Sequence, residues 1–107
     1  MEPFFTEEQD GALTIITFQT ESLMSGSDLE RITARLQDIV DELDPPRVAL
    51  DFAKVRYLSS QAIGMLIGLK KRCDAGHGTL VLNGVGPTLL QLLKLTNLHR
   101  MFTITPL

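Results

Sequence analysis

Cysteine is nearly missing from this chain of 107 residues: Cys73 stands alone. A disulfide needs two partners, so no internal bridge can form, and the chain suits a reducing compartment. Positive charge is also scarce. Ten Lys and Arg stand against thirteen Asp and Glu, a net charge of −3. Without a basic footprint there is little to hold a phosphate backbone, which argues against a nucleic-acid partner. The first ten residues, MEPFFTEEQD, hold four acids and no Lys or Arg, the wrong sign for the start of a signal peptide. No apolar run approaches the roughly 20 residues that cross a bilayer. A cytoplasmic protein without membrane insertion is expected.

Catalytic signatures are missing too. There is no G-x-x-x-x-G-K-[ST] phosphate loop. Gly84-Val85-Gly86 opens like a dinucleotide-binding G-x-G-x-x-G, but Leu89 takes the third glycine's place. Cys73, His77 and His99 do not form a zinc spacing. Cys73 is expected in or near the core and both histidines at the surface. Ser60 has no histidine in a segment directed at it, so no nucleophilic triad is read. No metal, cofactor or catalytic residue is expected, and the protein is not read as an enzyme.

What is present is a globular composition, 44% hydrophobic and 21% charged, in a length that fits one domain with one core. Phe4–Glu8 and Leu13–Phe18 read as strands joined by a turn at Asp10-Gly11. Ser27-Asp28-Leu29-Glu30 is a capping-box pattern. Behind it Leu29, Ile32, Leu36, Ile39, Val40 and Leu43 recur at helical spacing, and Pro45-Pro46 ends that helix. Val48–Phe52 is an unalternating apolar run, expected as a central strand covered on both faces. Either Ser59 or Ser60 can cap a second helix, reaching about Asp74 with Ile63, Leu66, Ile67 and Leu69 as its stripe and Met65 and Cys73 beside it. Thr79–Leu82 reads as another buried strand. Pro87 opens a leucine-rich third helix, which Asn97 closes in a left-handed conformation. Phe102–Thr105 is a last strand. The order β-β-α-β-α-β-α-β predicts an α/β domain: a mixed sheet of about five strands with helices packed on it, and right-handed crossovers between parallel strands.

The informative stretch is Val48–Leu69, VALDFAKVRYLSSQAIGMLIGL: strand, loop, hydroxyl-rich helix start, small-residue helix. It resembles the STAS domain, named for sulfate transporters and anti-sigma factor antagonists. In that family an apolar strand is followed by an aromatic, an aliphatic and Asp-Ser-Ser-Gly-Leu-Gly. The likeness continues through Gly78–Leu82 and ends in Leu93–Phe102, LKLTNLHRMF, similar to the family's L-x-T-G-L-x-x-x-F. The resemblance implies a single STAS-like domain over residues 1–107. The C-terminal helix usual in the family is not seen after Pro106-Leu107.

For function, the resemblance implies an anti-sigma factor antagonist that switches partners. One partner would be an anti-sigma factor that is a serine kinase of the histidine-kinase-like ATPase type, another a PP2C-type phosphatase. Anchored on Ile63-Gly64, the family's phosphorylated serine falls on Ser60. The family's Asp is replaced by Ser59, its second serine by Gln61 and its glycine by Ala62. A further family acid, in the loop after the second strand, gives way to Met24 and Ser25. Ser59, Ser60, Gln61, Gly64, Met24 and Ser25 are thus the expected partner-binding residues. Loss of both acids leaves room for a STAS module that is never phosphorylated, or for a small-molecule or nucleotide sensor with its pocket at the strand ends. Gly64 and Gly68 serve either close helix–sheet packing or a flat docking surface, because glycine inside a helix costs about 0.8–1 kcal/mol relative to Ala. Met65 and Met24 could extend such a surface or lie in the core.

Overall fold

A computed structural model describes residues 4–107. The chain opens with a hairpin of β1 (Phe5–Asp10) and β2 (Leu13–Phe18). The pairing runs from Phe5↔Phe18 to Asp10↔Leu13, so β1 ends two residues beyond the expected Glu8. The turn itself is Gly11-Ala12, one place later than expected. Gly11 takes φ 62, the left-handed first position of a two-residue hairpin turn whose twist matches the strands.

A two-residue strand, β3 (Ser22–Leu23), leads into helix α1 (Ser27–Glu42). The capping box expected at Ser27 is not formed. Gly26 is the N-cap, with φ 125 and no side-chain hydrogen bond. Glu30 N–H already donates to the Gly26 carbonyl at 3.0 Å, which places Ser27 inside the helix. Only glycine readily takes that φ, so the helix starts one residue earlier than a serine cap would allow. Leu29, Ile32, Leu36, Ile39 and Val40 are buried as the periodicity predicts.

Next come β4 (Arg47–Asp51), a second two-residue strand β5 (Tyr57–Leu58), helix α2 (Ser60–Ala75), β6 (Thr79–Val85), helix α3 (Pro87–Leu95), a 3-10 turn at Leu98–Arg100 and β7 (Thr103–Pro106). Asn97 closes the third helix with φ 60, in the predicted left-handed conformation. The five-stranded sheet runs β1-β2-β4-β6-β7. Its first pair is antiparallel and the rest parallel, with Val48↔Leu80 and Leu50↔Leu82 in register between β4 and β6. The strands β3 and β5, which the sequence reading did not contain, form a separate parallel pair.

Each crossover steps the same way along the sheet. Right-handed connections in one direction put all three helices on one face. The burial agrees. Ile16, Phe18, Val48, Leu50, Phe52, Leu80 and Leu82 point to that face and join Leu36, Leu66, Leu89 and Leu93 in one core. The expectation that the central strand is covered on both faces is therefore corrected: no described element lies over the opposite face. Ala49 is shut off there by its register neighbours Ile15 and Val81, which stay half-buried.

The apolar stripe of α2 also shifts. Its buried residues are Ala62, Met65, Leu66, Leu69 and Cys73, while Ile63 and Ile67 are only half-buried. Met65 thus belongs to the core. Cys73 is buried as expected, and burial raises its thiol pKa to about 11, with Asp74 adding to the shift. His77 is exposed, but His99 departs from expectation: it is half-buried, and its Nδ1 is enclosed without a hydrogen-bond partner among the described residues.

Candidate partner-docking site

The two adjacent serines take different places. Ser59 is the N-cap of α2, with extended backbone (φ −79, ψ 166), and its Oγ accepts from Ala62 N–H at 3.1 Å. Its own N–H donates to the Leu23 carbonyl at 2.9 Å. Both groups of Ser59 are therefore committed to local structure. Ser60 is the first helical residue and exposed. Its hydroxyl has no hydrogen-bond partner among the described residues, and neither does the exposed side chain of Gln61. With the cap supplied one residue earlier, the Ser60 hydroxyl is left over at the positive end of the helix dipole.

The small β3–β5 pair builds the rest. Ser22↔Tyr57 and Leu23↔Leu58 are in register, and the Arg56 and Tyr57 N–H groups both donate to the Glu21 carbonyl, at 2.7 and 3.2 Å. This ladder ties the loop after β2 to the loop before α2. Leu23 is buried and Leu58 packs against the core. Alternation then turns Ser22, Met24, Tyr57 and Ser59 outward. Met24 and Tyr57 are 53% and 54% exposed, unusual for large apolar side chains that could have faced the core. The bond from Ser59 N–H to the Leu23 carbonyl sets Met24 next to Ser59, with the exposed Ser25 following it in the chain. Tyr57 is the member of this surface that sequence reasoning did not single out. Its signal was its position in the aromatic-aliphatic pair before the serines.

The charge at this site is sparse. No acid occupies the first turn of α2. The nearest ion pair along the ladder, Glu21 with Arg56 at 3.8 Å, is largely exposed and so contributes little.

The glycines of α2 are not packing glycines. A Cβ at Gly64 or Gly68 would meet nothing within 4 Å, so close helix–sheet approach does not explain either. Both line an open groove between α2 and α1, with Gln61 at one end and Thr33, Ala34 and the acidic Glu30 across from them. Gly64 is exposed, one turn on from Ser60, so the groove continues from the serine. Two clefts lie at the strand ends: one between Ala53–Arg56 and Gly86–Leu89 of about 220 Å³, and one between Gln19–Glu21 and Ala53–Arg56 of about 460 Å³. Among the described residues no group of three or more His, Cys, Asp or Glu could hold a metal, and no helix is long and apolar enough to cross a membrane.

Fold and surface together define a small α/β domain with a serine-led helix start displayed beside the exposed Met24 and Tyr57. A STAS domain model matches residues 5–106, and the chain belongs to the STAS domain family. Solved structures of the same fold include an anti-sigma-factor antagonist (STAS) domain protein from Planctomyces limnophilus, at 20% identity over 96% of this chain and 90% of that one with a TM-score of 0.87. The Bacillus cell fate determinant SpoIIAA, in its phosphorylated form, aligns at 16% identity over 94% and 90% with a TM-score of 0.70. A sulfate transporter family protein from Wolinella succinogenes aligns at 14% identity over 92% and 80%, also with a TM-score of 0.70.

Proposed function

We propose that the protein is an anti-sigma factor antagonist of the partner-switching kind. Its partner is an anti-sigma factor that is a serine kinase of the histidine-kinase-like ATPase type, and it docks through Ser59, Ser60, Gln61, Gly64, Met24 and Ser25. The observation that carries this reading is the uncommitted Ser60 hydroxyl. It stands at a helix start, exposed, and the exposed Met24 and Tyr57 lie on the neighbouring β3–β5 ladder. A phosphate there adds about −1.5 to −2 charges. The helix dipole accommodates them within the domain, while a partner fitted to the neutral hydroxyl has to desolvate a new charge. Phosphorylation then releases the partner without unfolding the antagonist, and a PP2C-type phosphatase resets it.

A second reading is favoured by the bare first turn of α2. With Ser59, Met24 and Ser25 where the family carries acids, the domain would dock in a signalling or transport complex and never be modified. Incubation with the kinase-type partner and ATP, followed by mass spectrometry, separates the two. One phosphate on Ser60 supports switching. Stable binding with no phosphate supports the second reading. No binding to any such kinase removes the first reading and leaves the second.

A further inference from the structure

The face of the sheet opposite the helices holds an unusual pattern. Four of its five strands are parallel, and parallel sheets are normally covered on both sides. Here the second side lies bare among the described residues. Its middle row is Ile15, Ala49 and Val81, in register across β2, β4 and β6. Along β4, two positions either side of Ala49 on the same face, stand Arg47 and Asp51. Arg47 is exposed and makes no ion pair among the described residues. Asp51 accepts from Ala53 N–H through Oδ1 at 2.8 Å, and its other oxygen has no partner among the described residues. The Cα positions of Arg47 and Asp51 lie about 13 Å apart, at ~3.3 Å per residue.

That arrangement is self-complementary. We propose that this open face binds a second copy of the chain, as a two-fold dimer whose axis crosses the strands at Ala49. Ala49 then meets its own counterpart, Ile15 and Val81 meet theirs, and Arg47 of each copy faces Asp51 of the other. The charges select the axis. A two-fold axis along the strands would instead stack Arg47 on Arg47 and Asp51 on Asp51. Sheets packed face to face sit about 10 Å apart and cross at about 30°, and the small alanine at the centre lets the flanking Ile15 and Val81 rows interdigitate. The same crossing carries the outer β1 edges apart, so Glu8, which faces its own counterpart, stays in water. The helix face is left free, so each copy still presents its Ser60 surface. This interface does not depend on the proposed function.

Sedimentation velocity over a dilution series, up to the highest soluble concentration, tests it. The wild type is expected to approach twice the chain mass. Arg47→Glu and Asp51→Asn, which leave the Ala53 turn an acceptor, should each weaken self-association by at least about tenfold. An equimolar mixture of Arg47→Glu and Asp51→Lys chains restores both pairs across a heterodimer, and should associate more tightly than either variant alone. A wild type that stays monomeric overturns the proposal, as does undiminished association of Arg47→Glu. A mixture no tighter than its components overturns the crossed-strand axis. Melting curves accompany each variant. If Asp51→Lys fails to fold, the Arg47→Glu and Asp51→Asn results decide.

Discussion

Ser59 and Ser60 differ by one position and by nearly everything that matters. The cap belongs to Ser59, through the bond from Ala62 N–H. Ser59→Ala is therefore expected to lower stability by about 0.5–2 kcal/mol, while Ser60→Ala stays within about 0.5 kcal/mol. Urea unfolding of the two side by side measures this, and the reverse order would move the cap to Ser60. Ser59→Asp keeps a good cap and leaves stability near wild type. Cys73 gives a pH-dependent test. Its folded pKa of about 11 lies above the ordinary 9.0. The thiol therefore ionises first in the unfolded chain, and stability present below pH 9 is lost as pH rises through 9 towards 11. A Cys73→Ala variant should lack that part of the alkaline decline. At pH 8 the native thiol should resist alkylation.

At the scale of elements, α2 carries two interior glycines that nothing packs against. Gly64→Ala and Gly68→Ala have room for the added Cβ, so each should stabilise the fold by about 0.4–1 kcal/mol. If Gly64 lines the docking groove, its methyl weakens partner binding at the same time, and only a binding titration shows it. The core behaves in the opposite sense. Leu36→Ala and Leu66→Ala, each at most 2% exposed, should cost about 2–5 kcal/mol, against about 0.5 kcal/mol or less for the exposed Arg31 and Lys71. Chemical denaturation compares the four.

The three helices and the central strands were legible because periodicity and apolar runs report burial directly. The β3–β5 pair was not. Two residues hold no period, and the pairing exists only because the chain brings two loops together. The glycines stayed open between two readings for a related reason: composition shows that a side chain is missing, but not whether anything stands in the space. The stripe of α2 shifted because a helix of mostly apolar residues has no single face that hydrophobicity alone can choose.

At the scale of the whole molecule, three same-handed crossovers gather the helices on one side of the sheet, and α2 begins beside the β3–β5 ladder. That placement puts the Ser60 hydroxyl, Met24 and Tyr57 on one surface while the core lies behind them. On the proposed docking, stability and binding rest on different residues, and a charge at Ser60 should alter one without the other. Tyr57→Ala provides a companion: exposed and outside the core, it should weaken binding by about 1 kcal/mol or more, as aromatic anchors do, without lowering the melting temperature. The most direct test is a titration of Ser60→Asp against the kinase-type partner, with a melting curve of the same sample. The expected result is a wild-type melt, because an acid at a helix start is favoured by the dipole, together with binding weakened at least about tenfold by the new charge. Equal binding by Ser60→Asp and wild type would take Ser60 out of the interface and contradict the account.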